Sequence, residues 1–182
     1  MPGLLRTNAL NFVLYQSGWL CCVLGAANGR PWLGAGLGLL PVLAHLGLAR
    51  RRGEEASLML GALALGIVVD TLHMRTGTLS FQGGLLVSGF PPPWLLLLWL
   101  QFAATLRYCL RWLLGRYALG AVLGAVAGAA AYWAGGRLGA AAFGADTAQS
   151  LLRIGASWGI CLPLLLLIAE KREEEDGTYR LF

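Results

Sequence analysis

Charge is scarce in this sequence. Only 13% of its 182 residues are Asp, Glu, Lys or Arg, 57% are hydrophobic, and the mean hydropathy is +0.65. That balance excludes an ordinary soluble domain. The length allows one compact bundle, because each crossing of the hydrocarbon core uses roughly 20 apolar residues. Paired cysteines are lacking too: Cys21, Cys22, Cys109 and Cys161 lie in or beside apolar segments, without the spacing of a zinc site or a disulfide framework. They read as small packing residues. There is no GxSxG elbow, phosphate-binding loop or HExxH helix, so no metal and no cofactor is expected. The formal charge of +5 does not point to nucleic acid, since the basic residues sit in short loops between apolar runs. Anionic headgroups of membrane lipids are the expected partner.

What is present is a series of six apolar stretches, at about 10–27, 32–48, 56–72, 94–114, 117–133 and 151–169. They predict an all-α membrane protein, six transmembrane helices in one bundle, forming a single domain over residues 1–182. Asn8, Asn11 and Gln16 interrupt the first stretch, which argues for a retained helix over a cleaved signal peptide. Orientation follows from the Lys and Arg residues of the connections. With the N-terminus inside, the cytoplasmic side carries Arg6, Arg50, Arg51, Arg52, Arg107, Arg111, Arg116, Lys171, Arg172 and Arg180, against Arg30, Arg75, Arg137 and Arg153 outside. Both termini are therefore expected in the cytoplasm, in a bacterial inner membrane. The stretch 75–93 is long for a loop; Gly83, Gly84 and Gly89 favour an external loop resting on the bundle over a re-entrant segment. The acidic run Glu173 to Asp176 reads as a solvated tail.

Polar residues within lipid face the bundle interior or a wet cavity. In the first helix Asn8, Asn11, Tyr15, Gly18, Cys22 and Gly25 form one stripe, suited to hydrogen bonds with neighbouring helices or with a ligand. Asp70 and His73 fall three residues apart on the third helix. As a pair they offer a minimal acid-base arrangement; the structural alternative is an ion pair of Asp70 with Arg75, Arg137 or Arg153. On the fourth helix Gln101, Thr105, Tyr108 and Trp112 share a stripe, with Arg107 and Arg111 beside it as candidate contacts for anionic lipid or ordinary interfacial anchors. His45, near the inner end of the second helix, can approach this group. Gly120, Gly124 and Gly128 form a ridge without side chains for close packing of a helix, either of this chain or of a second copy. Pro163 predicts a kink near Trp158.

Several runs together carry a resemblance. They are Asn11 to Trp19, Leu98 to Leu106, Leu110-Arg111-Trp112-Leu113, Gly124 to Gly128, Ala131 to Gly135, and Arg137 to Ala140. The chain resembles, over nearly its whole length, a bacterial family of small polytopic inner-membrane proteins catalogued as a domain of unknown function. Where the resemblance implies a proline after Gly128, this chain has Ala129, so a helix break there is not expected. The resemblance implies an association with genes for cyclopropane and related fatty-acid modification, and supplies no catalytic residues. It favours a protein that performs or assists modification of membrane lipids. Asp70 and His73 are the catalytic candidates, and Asn8, Asn11, Tyr15, His45, Gln101, Thr105, Arg107 and Arg111 are the ligand-binding ones. A substrate-binding subunit of a small-molecule importer and a non-catalytic assembly partner are the alternatives. The two groups of polar residues are expected in opposite halves of the membrane.

Overall fold

The computed structural model describes residues 2–81 and 83–174, with side chains described over 7–81 and 83–170. The side chains of Arg6, Lys171, Arg172, Glu173 and Glu174, and the whole of Glu175, Asp176 and Arg180, lie outside the described residues. Six α-helices order the chain: α1 (Pro2–Ala27), α2 (Pro31–Leu48), α3 (Arg52–Arg75), α4 (Pro93–Ala103), α5 (Tyr117–Leu138) and α6 (Thr147–Glu174). Two short strands, β1 (Leu79–Ser80) and β2 (Ala142–Phe143), and one 3-10 turn over Arg111–Leu113 complete it.

Five of the helices, all but α4, are long and apolar enough to cross a membrane. Their outward faces carry Phe12, Leu33, Leu40, Val68, Val122, Val126, Leu152 and Ile160, all more than half exposed. A surface this apolar is stable against acyl chains and not against water. The chain is a multi-pass membrane protein.

Helix boundaries follow local chemistry. Pro31 and Pro93 occupy first turns, where a missing N–H costs nothing. Gly139 closes α5 at φ 93, a backbone state open to glycine at no steric cost. Glu54 and Glu55 in the first turn of α3, and His73 and Arg75 in its last, suit the helix dipole.

Packing groups the helices as two tight pairs around a centre. α1 and α2 meet at glycine: a Cβ on Gly25 would lie 2.5 Å from the Gly34 Cα. α5 and α6 meet along the Gly120, Gly124 and Gly128 ridge, where added Cβ atoms would lie 2.7 Å from Leu166 Cδ1, 2.9 Å from Leu162 Cβ and 2.5 Å from Trp158 Cβ. The ridge is thus filled by a helix of the same chain. Between the pairs, α3 and α4 supply Leu58, Ala62, Trp99 and Ala103 to a core completed by Leu165 and Leu166 of α6.

The fourth span differs from the continuous helix expected over 94–114. α4 stops at Ala103, and residues 104–110 run as successive turns, with Thr105 N–H donating to Phe102 O and Tyr108 N–H to Thr105 O. Tertiary partners capture the backbone here. Asn11 donates to Ala104 O at 2.9 Å, the Thr105 hydroxyl donates to Phe102 O at 2.6 Å, and Arg107 is drawn to α3 and α6. Non-helical backbone at membrane depth is tolerated when protein encloses it in this way.

β1 and β2 pair antiparallel, Leu79 with Phe143 and Ser80 with Ala142, which ties the ends of α3 and α5 together. No helix forms among the described residues of 76–92. Leu79 and Phe81 of this stretch rest on the bundle, as do Pro91 and Pro92, whereas Leu85, Leu86 and Val87 are exposed. Opposite this hairpin end, the early turns of α1, the end of α2, the start of α3, residues 104–109 and the late turns of α6 meet at a polar end.

Candidate functional site

The polar end is built around Glu55. Its Oε2 lies 3.1 Å from His45 Nε2, and its Oε1 accepts from Arg107 Nη1 at 3.3 Å. Arg107 also donates from Nε and Nη2 to Ala169 O and sits 3.6 Å from Glu54. Asn11 lies 3.4 Å from His45 Nδ1 and accepts from Cys109 N–H. Tyr108 stands edge-on to the His45 ring at 5.0 Å. Each buried charge has an opposite charge and further hydrogen bonds, the condition under which such a cluster is tolerated. Its members fasten five segments to one another, and among the described residues none of its side-chain polar atoms is buried without a hydrogen-bond partner, the pattern of a structural clasp.

The structure therefore brings together Asn11, His45 and Arg107, through a residue that the sequence reading passed over. Glu55 follows the arginines 50–52 and reads as loop charge until the third helix is seen to start at Arg52. Gln101 serves a second join, donating to Gly38 O at 2.8 Å and to the Cys22 sulfur. Thr105 bonds within its own turn, Asn8 is half-buried one turn before Asn11, and Arg111 is exposed on the 3-10 turn.

Asp70 and His73 are both buried on α3, yet no hydrogen bond joins them. Nor does Asp70 pair with an arginine, as the structural alternative required. Its Oδ2 accepts from the indole N–H of Trp99 at 2.8 Å, and its Oδ1 accepts from the Tyr132 hydroxyl at 2.6 Å. The reason is steric: Gly66 of α3 lies flat against Trp99, which draws α4 onto α3 and sets the indole beside the carboxyl group. Aromatic residues with a polar atom are the side chains that an apolar helix can offer a buried acid. Tyr132 and Trp99 carried that signal in the sequence.

Trp99 and Tyr132 also belong to the wall of a groove of about 260 Å³ that runs between α1 and α5. α5 makes the room by what it omits. Ala127, Ala131 and Gly135 face the space with almost no side chain, and Gly124 and Gly128 border it where Trp158 packs on them. From Leu123 to Gly135 this wall extends about 18 Å along the helix at 1.5 Å per residue. The other walls are aromatic: Tyr15 and Trp19 from α1, Trp94, Trp99 and Phe102 from α4, and Trp158 from α6. Trp99 and Trp158 stack with centroids 4.6 Å apart, and Phe102 meets Trp158 edge-on at 5.2 Å, so the floor is a rigid platform. Phe81 and Ala140 bound the groove near the hairpin end, and Leu110, Trp112 and Leu113 bound it toward the other. Of the sequence-derived candidates, Tyr15 alone lines it. Among the described residues no group of His, Cys, Asp and Glu has a metal-binding arrangement.

No curated protein and no solved structure matches the chain at a significant level. The model of a family described as Protein of unknown function (DUF2878) matches residues 8–164, and the chain belongs to that family.

Proposed function

We propose that the protein holds one membrane-lipid chain in the groove between α1 and α5 and thereby performs or assists modification of that lipid. The groove itself carries this reading. It is long and walled by aromatic rings and small α5 residues, and α1 and α5, the helices on either side of its proposed mouth, have apolar outer faces. In a bilayer the molecules that reach such a mouth are lipids, and an apolar chain gains close contact with the rings there. The Asp70 carboxyl group stands behind this wall, bonded to Trp99 and Tyr132, and any acid-base role it has reaches the bound chain through Tyr132.

The proposed setting is a bacterial inner membrane with both ends of the chain in the cytoplasm. Support comes from the start of α1 and the late turns of α6 meeting at the same polar end. Arg50, Arg51, Arg52, Arg111 and Arg116 cluster at that end, as the positive-inside rule asks of a cytoplasmic face, and would meet anionic headgroups.

Native mass spectrometry with lipid identification tests the reading. Wild-type protein is expected to retain lipid that Ala131→Trp, which fills the groove, loses while remaining folded. Equal lipid content in the two proteins would rule out the groove as the site. For the catalytic half, a deletion strain whose fatty-acid profile under stress equals that of its parent would remove the role in lipid modification.

A further inference from the structure

The two ends of the groove differ in how open they are. At the hairpin end the residues that line it, Phe81, Trp94, Leu95 and Ala140, are each less than a tenth exposed. Toward the other end Trp112 lines it at 51% exposure, and Ala127 of α5 is exposed as well. The closure has a visible cause. Gly139 turns the backbone away from the α5 axis, and the register of β1 and β2, continued by one residue, sets Phe81 opposite Ala141. Both line the groove, and the Phe81 ring meets Trp94 edge-on at 5.6 Å. A ladder of two residues per strand adds little stability by itself. Its position makes it a strap across the end of the groove. The open end is also basic: Arg111 adjoins Trp112 and Arg116 precedes α5, both exposed, while Glu170 nearby is engaged by the Tyr117 hydroxyl. At the hairpin end Arg137 is exposed on α5, but it lies beyond Gly135, the last α5 residue of the wall.

Resting on the groove reading above, we infer that the groove takes a long acyl chain of an anionic phospholipid methyl end first, with the headgroup beside Arg111 and Arg116, and that Phe81 is the stop that sets the longest acyl chain accepted. The reverse direction would seat a phosphate among Phe81, Trp94 and Ala140, where its charge has no partner. From Arg116 to Gly135 the helix covers about 28 Å, close to the full hydrocarbon core of about 30 Å. Only a long, extended acyl chain reaches Phe81 from the arginines. Past that point the strap and the packed rings leave no room, so each further methylene overpacks the closed end.

Photocrosslinking of the wild-type protein in nanodiscs reads the direction. Two stearoyl phosphatidylglycerols serve as probes, one with a diazirine at the methyl end of the acyl chain and one with it next to the ester. The first is expected to label Phe81, Trp94 or Ala140, and the second Leu110, Trp112 or Leu113. Reversed labelling, or the same residues labelled by both, would overturn the inference and leave the groove occupied. No label on any groove residue from either probe would overturn the groove reading as well. The stop is read by a series of phosphatidylglycerols, lauroyl to behenoyl, displacing a brominated stearoyl phosphatidylglycerol that quenches the groove tryptophans. Affinity is expected to rise with length and then fall about tenfold over the next pair of methylenes, a typical cost of overpacking. Phe81→Ala should move that fall to longer acyl chains, and Phe81→Leu, which keeps an apolar side chain at the strap, should move it the same way by less. A merely structural Phe81 would weaken all lengths alike. A fall at an unchanged length in the variants, or no fall in the wild-type protein, would overturn the stop.

Discussion

Arg107 and Glu55 are 52 residues apart in sequence and 3.3 Å apart in space, with each side chain only 5% exposed. Removing one partner leaves a buried charge without its counterpart. Arg107→Ala and Glu55→Ala are each expected to cost about 3–5 kcal/mol. The double variant should lose less than the sum of the two, since it leaves neither charge stranded. Arg107→Lys should not rescue, because a single ammonium cannot reach Glu55 and Ala169 O with the planar fork that Arg107 uses. Melting curves in detergent measure this, and an unshifted Arg107→Ala midpoint would refute the clasp.

Gly124 predicts a different failure. A Cβ there would overlap the Trp158 backbone carbonyl and lie 2.9 Å from the Leu162 Cβ, neither of which can swing aside. Gly124→Ala should destabilise the α5–α6 pair by about 1–3 kcal/mol, the usual cost of overpacking. Gly136→Ala makes a useful contrast, since its added methyl meets the Phe143 ring, a side chain with room to turn. Thermal stability of the two variants should differ in that order, and equal loss would show that the α5–α6 contact is looser than drawn.

Both ends of the chain are expected on the cytoplasmic side. Reporter fusions after residue 182 and before residue 1 should be active in the cytoplasm-dependent format and silent in the periplasm-dependent one. A fusion that reads out on opposite sides at the two ends would require an odd number of crossings and would contradict a fourth passage made by α4 and the turns that follow it.

The long spans were legible because hydropathy is a property of each segment alone. Five of the six stretches correspond to long helices, with ends displaced by up to eight residues. The break after Ala103 was not legible, since it depends on Asn11, Glu55 and Ala169 from three other helices. Asp70 stood out as an acid in an apolar run, but its expected partners were local or cationic. The true ones, Trp99 and Tyr132, come from α4 and α5 and are neutral, and nothing in the spacing relates them to residue 70. The glycine ridge was legible as a packing surface, whereas the helix that fills it needed the fold. The groove was hidden for the same reason: Ala127, Ala131 and Gly135 read as ordinary small residues until the aromatic rings of three other helices surround them.

On the proposed reading, the space between α1 and α5 belongs to a lipid chain. A cryo-EM map of the protein in bilayer nanodiscs tests it most directly. Continuous elongated density is expected, lying on the Trp99 and Trp158 platform and extending along α5 past Ala131. A groove closed by rearranged aromatic side chains, or one holding only isolated water-sized peaks, would contradict it.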